Sequence, residues 1–156
     1  MSKMPFGEFP FKPDEKRPAH LTKDKLKTFI YTEKFPESSD LNWLIASTET
    51  MTVGMYQLAP GSTFDPVDIH AGDEVYYILK GNVMMLNPRT GQVEEVHTGE
   101  SILMPKGAPH KAYNFTQGEA MILFVIAPKI WEEGPPLEFL EKFQLYKEVE
   151  RSGGNE

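Results

Sequence analysis

The sequence predicts an all-β fold, and three observations carry the expectation. Apolar segments of four to eight residues recur through the middle of the chain, they are rich in β-branched and aromatic types, and turn-forming residues separate them. So many short strands at regular spacing imply a sandwich or barrel.

Taken in order, residues 1–24 carry prolines at positions 5, 10, 13 and 18 among charged residues, which suits an extended arm better than a helix or a central strand. The segments KTFIYT, NWLIAST and TVGMYQLA follow, closed by the turn Pro60-Gly61. Next come VDIH, EVYYIL and NVMML, the turn Asn87-Pro88-Arg89-Thr90-Gly91, and then QVEEVH, SILM, HKAYNF and AMILFVIA. Only the C-terminal end has a helical pattern, through Leu137, Leu140, Phe143 or Gln144, and Lys147, with Pro135 and Pro136 suiting a helix start and Gly153-Gly154 a frayed tail. The expected layout is an arm over 1–24, a β-barrel over 25–134, and a short helix with tail over 135–156.

The 156 residues suit one domain, and 40% hydrophobic with 12% aromatic content supplies a core. The chain has no cysteine, which excludes disulfides, thiolate metal sites and a cysteine nucleophile, so any metal must take nitrogen and oxygen ligands. A formal net charge of -7 and the lack of a basic, aromatic-interleaved stripe argue against nucleic acid as a partner. No apolar run reaches a membrane span, and the N-terminus lacks the apolar core of a signal peptide, so a cytoplasmic address without membrane contact is expected. No Gly-rich phosphate loop, GxSxG elbow or HExxH helix is present.

The chemistry concentrates in one constellation. In Asp68-Ile69-His70, strand parity sends the side chains at 68 and 70 to one face. The short turn Ala71-Gly72-Asp73 would then bring Glu74 back beside His70. A further ligand must come from another strand, and His110 is the candidate, delivered by the rigid segment Met104-Pro105-Lys106-Gly107-Ala108-Pro109.

These residues resemble the cupin superfamily, whose two motifs are matched over residues 60–81 and 99–114. Gly99, Pro105, Gly107, His110 and Asn114 match the second motif, and His70, Glu74 and Gly81 the latter half of the first. Asp68 stands where most metal-binding cupins have a histidine, and six residues rather than five separate it from Gly61. The resemblance implies a double-stranded β-helix, or jelly-roll barrel, commonly paired as a dimer, with one divalent metal inside held by Asp68, His70, Glu74 and His110. Two imidazoles and two carboxylates suit Fe(II) or Mn(II) first, with Zn(II), Ni(II) and Co(II) as further options. Without Asp68, the remaining three make the two-histidine, one-carboxylate triad of non-haem iron oxygenases.

Tyr76 shares strand parity with Glu74 and is a candidate acid, base or substrate anchor, or else a core aromatic with its hydroxyl at the rim. Lys111 is the second candidate for moving protons. His20 and His97 read as ordinary polar residues, and Asn114 as scaffold. Met84, Met85, Met104, Met121, Phe64, Phe124 and Trp131 read first as core, with an apolar pocket lining around the metal as the alternative. EVYYIL and AMILFVIA are apolar at nearly every position, which implies burial on both faces and favours a homodimer packed sheet to sheet.

Three functions remain open at this point. The first is an Fe(II) dioxygenase acting on a small oxygenated organic molecule. The second is a non-redox sugar or hydroxy-keto acid isomerase or lyase using manganese or zinc. The third is a small-molecule-binding barrel without catalysis.

Overall fold

Nearly every apolar segment folds as the strand its composition predicts. The computed structural model describes residue 10 and residues 16–30, 41–63, 67–132 and 147–148. After a single 3-10 turn at Lys23–Lys25 come β1 (Lys27–Ile30), β2 (Leu41–Ser47), β3 (Thr52–Leu58), β4 (Asp73–Lys80) and β5 (Asn82–Asn87). They are followed by β6 (Gln92–His97), β7 (Ser101–Met104), β8 (Lys111–Tyr113), β9 (Ala120–Ala127) and β10 (Lys147–Glu148). All pairings are antiparallel, in a seven-stranded sheet of order β10-β1-β2-β3-β9-β4-β7 and a three-stranded sheet of order β6-β5-β8.

Two places depart from the expected pattern. Val67–His70 makes no strand; Asp68 alone pairs, in an isolated antiparallel bridge with His110. At the other end Lys147 and Glu148, which the helical pattern and its tail cover, pair instead with Ile30 and Phe29. Edge strand β1 offers unpaired backbone groups, and two residues of β10 satisfy part of that edge. The remainder of the expected C-terminal helix, and residues 1–9 and 11–15 of the expected arm, lie outside the described residues. No helix among the described residues is long and apolar enough to cross a membrane.

The core lies between the two sheets, and period-two alternation decides which residues enter it. On β4, Glu74, Tyr76 and Ile78 are buried while Val75, Tyr77 and Leu79 stay about two-fifths exposed on the other face. Tyr56, Leu58, Ile122 and Met104 join them from the larger sheet, and Val83, Met85, Val96 and Ala112 face them from the smaller one. Burying each such aliphatic side chain contributes about 1.5–3 kcal/mol. The larger sheet therefore has one face in the barrel and one apolar face outside it.

Asn114 closes the barrel wall at the end of β8. It is fully buried, and its amide donates to the carbonyls of Leu58 (3.0 Å) and Gly118 (2.8 Å). Its oxygen accepts from the Thr116 backbone N–H (3.0 Å) and hydroxyl (2.8 Å). This is the scaffold role expected for it. Replacing Asn114 with alanine strands buried carbonyls, so urea denaturation is expected to show a loss of roughly 1–3 kcal/mol. A change within about 0.5 kcal/mol, typical of a surface substitution, would contradict that role.

Candidate metal centre

Two chain segments far apart in sequence meet at the site. The Asp68 N–H donates to the His110 carbonyl (2.9 Å), and the His110 N–H returns to the Asp68 carbonyl (3.0 Å). A second stitch follows, in which the Gly107 N–H donates to the His70 carbonyl (3.0 Å) and the Lys106 N–H to the Asp73 carboxylate (2.8 Å). Gly107 turns with φ +77°, a conformation that glycine adopts without a side-chain penalty. Gly72, between His70 and Glu74, packs so closely on Ala127 that any side chain there would strike the Ala127 carbonyl. The turn that separates two candidate ligands is thereby pressed onto the end of β9.

Asp68, His70 and His110 each offer a ligand atom within 4.8 Å of the others, the one such group among the described residues. Asp68 and His70 turn the same way, as strand parity predicts, although the segment is not a strand; Ile69 between them is half exposed. Glu74 sits in the middle of the two rings. Its carboxylate is 2.6 Å from His70 Nε2 and 3.1 Å from His110 Nε2, and its side chain is only 3% exposed. Of the four residues singled out from the sequence, Asp68, His70 and His110 form one group, and Glu74 contacts both imidazoles.

The electrostatics follow from that contact. Burial alone would lower the pKa of both imidazoles, but the hydrogen bond and charge of Glu74, with the charge of Asp68, outweigh it and hold both above the ordinary histidine value. Burial alone would raise Glu74, yet the hydrogen bonds from His110 and His70 hold its carboxyl below the ordinary value. Glu74 is therefore a carboxylate deep in the barrel, sustained by two ring partners.

The donor set fits a divalent cation. Two imidazoles and two carboxylates suit first-row transition metals, and the two anionic oxygens neutralise the ion's charge. His110 has its Nδ1 3.0 Å from the Ala108 carbonyl, which leaves Nε2 as the inward nitrogen, the arrangement that orients ligating histidines. His70 Nδ1 is buried without a hydrogen-bond partner. The His70 nitrogen that meets the other ligating groups is Nε2, which lies 2.6 Å from the Glu74 carboxylate.

Tyr76 and Lys111, the two candidate proton carriers, are placed differently. The Tyr76 ring stands edge-on to His110 at 6.0 Å between centroids and to Tyr56 at 5.6 Å. Burial, then the negative charge of Glu74, pushes its phenol well above the ordinary value, so it stays protonated. Lys111 follows His110 by one residue and so lies on the other face of β8; its ammonium sits 5.5 Å from the Tyr113 ring, which stacks on the exposed Phe115. The structure does not bring Lys111 to the imidazoles. Tyr56, buried beside Tyr76, belongs to the same inner layer and escaped notice in the sequence; its even-numbered parity with Leu58 on β3 is the signal that marks it.

A groove of about 560 Å³ opens at His110. Met85, Val96, Ile102 and Met104 form its apolar walls. Of the residues expected to serve either core or pocket, Met85 and Met104 do both, whereas Met84 pairs with Tyr113 on the outer face and Phe64 lies outside the described residues.

Comparison with known proteins agrees with this geometry. Residues 54–126 match the cupin domain family. No curated protein matches the chain. Among solved structures, the polyketide cyclase RemF from Streptomyces resistomycificus is similar at TM-score 0.59 and 17% identity, covering 87% of this chain and 88% of that one. An RmlC-like cupin from Shewanella frigidimarina aligns at TM-score 0.57 and 11% identity, covering 79% and 96%. A cupin superfamily protein from Desulfitobacterium hafniense aligns at TM-score 0.52 and 17% identity, covering 58% and 78%. At these identities the likeness establishes the fold, a jelly-roll barrel of antiparallel sheets.

Replacing His110 with alanine is expected to weaken manganese or zinc binding by more than about 100-fold, since even changes in groups that merely orient a ligand cost 10–100-fold. The barrel should still unfold cooperatively, because its core strands do not depend on an ion. Retained metal affinity in titration calorimetry, or loss of cooperative unfolding, would contradict this division.

Proposed function

We propose that the protein is a metal-dependent enzyme acting on a small oxygenated organic molecule, and that it works as an Fe(II) dioxygenase. The observation that supports this reading is the meeting of Asp68 and Glu74 with the imidazoles of His70 and His110, the last of which also lines a groove. A divalent ion held there would bind substrate oxygens and, as iron, activate dioxygen. The chain's own contributions are separable. Asp68 and Glu74 supply the balancing charge, the Ala108 carbonyl orients His110, and the apolar walls exclude water. Tyr76, held protonated beside His110, is a hydrogen-bond donor for a substrate oxygen and, with its raised pKa, a weak acid.

A second reading, a non-redox isomerase or lyase using manganese or zinc, is favoured by the same protonated Tyr76, a hydrogen-bond donor of the kind that stabilises a developing oxyanion. The fold also serves a polyketide cyclase, RemF. Elemental analysis of protein grown with iron, manganese or zinc supplementation, followed by substrate screening with and without oxygen, separates the readings. The dioxygenase predicts near-stoichiometric iron and oxygen uptake coupled to turnover. Turnover under strict anaerobiosis with manganese or zinc would overturn it in favour of the second reading. Protein that takes up no metal under any supplementation would leave a binding barrel without catalysis.

We also propose that two copies pair through the outer face of the seven-stranded sheet. Its registered rows place Leu103, Val75, Val125 and Val53 side by side, with Tyr77, Leu123 and Met55 in the next row. Val75, Tyr77 and Leu103 are more than a third exposed in the single chain, a continuous apolar patch of the kind that marks an interface. Light scattering is expected to give a dimer for the parent protein and a folded monomer for the Tyr77→Glu, Leu103→Asp double variant. A monomeric parent would overturn the pairing.

A further inference from the structure

The groove that His110 lines carries its own charge pattern. Met85, Val96, Ile102 and Met104 give it apolar walls, but the exposed Glu94 and Glu95 of β6 and Glu100 before β7 line it as well. No lysine or arginine is among the described residues that line it. Two lysines adjoin the lining in sequence: Lys106 is engaged by Glu132 at 2.8 Å, and the Lys111 ammonium sits 5.5 Å from the Tyr113 ring. His97 lies 3.4 Å from Glu95 and 3.0 Å from Glu100, so even counted as a cation it leaves the lining net negative. The backbone and ring hydrogen bonds of His97 hold Glu100 below the ordinary carboxylate value.

The metal centre does not reverse that sign. With Asp68 and Glu74 both ionised and two neutral imidazoles, a divalent ion yields a centre of zero net charge. A three-histidine, one-carboxylate set would instead retain one positive charge and draw anions. Asp68 in the first ligand position therefore removes the attraction for an anionic substrate, and the acidic lining adds repulsion over the few ångströms separating a bound molecule from the glutamates.

From these observations we infer that the site takes uncharged or cationic organic molecules with an apolar body and excludes carboxylates and phosphates of the same shape. The inference deepens the proposed function and rests on its four-ligand metal site. It weighs against hydroxy-keto acids and sugar phosphates and favours neutral or amine-bearing polyols and phenols.

Three probes with one chelating head test it: catechol carrying a methyl, an aminoethyl or a carboxymethyl group opposite one hydroxyl. Binding is measured anaerobically by calorimetry on the zinc-loaded, redox-silent protein and on the zinc-loaded Glu94→Gln, Glu100→Gln double variant. Glutamine at 100 keeps an acceptor for the His97 N–H, and both positions are exposed, so the fold is retained. The aminoethyl probe is expected to bind about tenfold tighter than the carboxymethyl probe, with the methyl probe between them. The gap should shrink to less than about threefold in the variant, and likewise in about 0.5 M salt. A carboxymethyl probe that binds as tightly as the aminoethyl one, or a gap unchanged in the variant, would overturn the inference. Failure of all three to bind protein that holds zinc would also overturn it while leaving the metal site standing. A protein that takes up no zinc would instead defeat the reading beneath it.

Discussion

The pairing of Asp68 with His110 is the constraint from which the site follows. Two backbone hydrogen bonds join segments 42 residues apart, and they bring an imidazole from one side of the barrel to an imidazole and two carboxylates on the other. The turn at Gly107 and the close contact of Gly72 with Ala127 hold the flanking loops against the same sheet. Without that bridge, β4 could still pair with β9 and β7, since their registers are set by period-two burial on their own faces. Glu74 would then be an isolated carboxylate in a hydrocarbon layer, between Met104 and Ile126 in register. Burying an unpaired charge costs several kcal/mol, so the imidazoles are what make Glu74 tolerable there.

That cost also explains why the cluster reads as functional. A barrel of this size needs no buried carboxylate to be stable; Ile78, Leu58, Val83 and Ile122 already fill the core to exclusion of solvent. Titratable groups with displaced pKa values that converge in a cleft are the pattern of a working site, and His70, Glu74 and His110 have such values here. His110 also lines a groove whose walls carry Met85, Val96, Ile102 and Met104 together with Glu94, Glu95 and Glu100.

Much of this was legible in the residues, for identifiable reasons. Strand identity was readable wherever apolar residues ran four or more together between turns, as in EVYYIL and AMILFVIA, because burial on a pleated surface selects β-branched and aromatic types. The ligand set was readable because Asp68, His70, Glu74 and His110 keep motif spacings that turns at Gly72 and Gly107 convert into proximity. VDIH was not readable as a lone bridge, since whether a short apolar run pairs over its length depends on its neighbours across the barrel. Lys111 illustrates a different limit: its type suits proton transfer, but one step along β8 from His110 reverses its face. Lys147 and Glu148 pair with an edge strand more than a hundred residues away, a long-range contact that helical periodicity does not report. The both-face apolarity of β4 and β9 was legible, because both segments are apolar at nearly every position.

The central claim is that these four side chains form a metal centre, and crystallography of protein equilibrated with manganese tests it most directly, using anomalous scattering to locate the ion. The account predicts one strong anomalous peak within bonding distance of Asp68, His70, Glu74 and His110, with the Glu74 carboxylate turned to the ion. No peak at that position, with Glu74 still bridging the two imidazoles at saturating manganese, would contradict it.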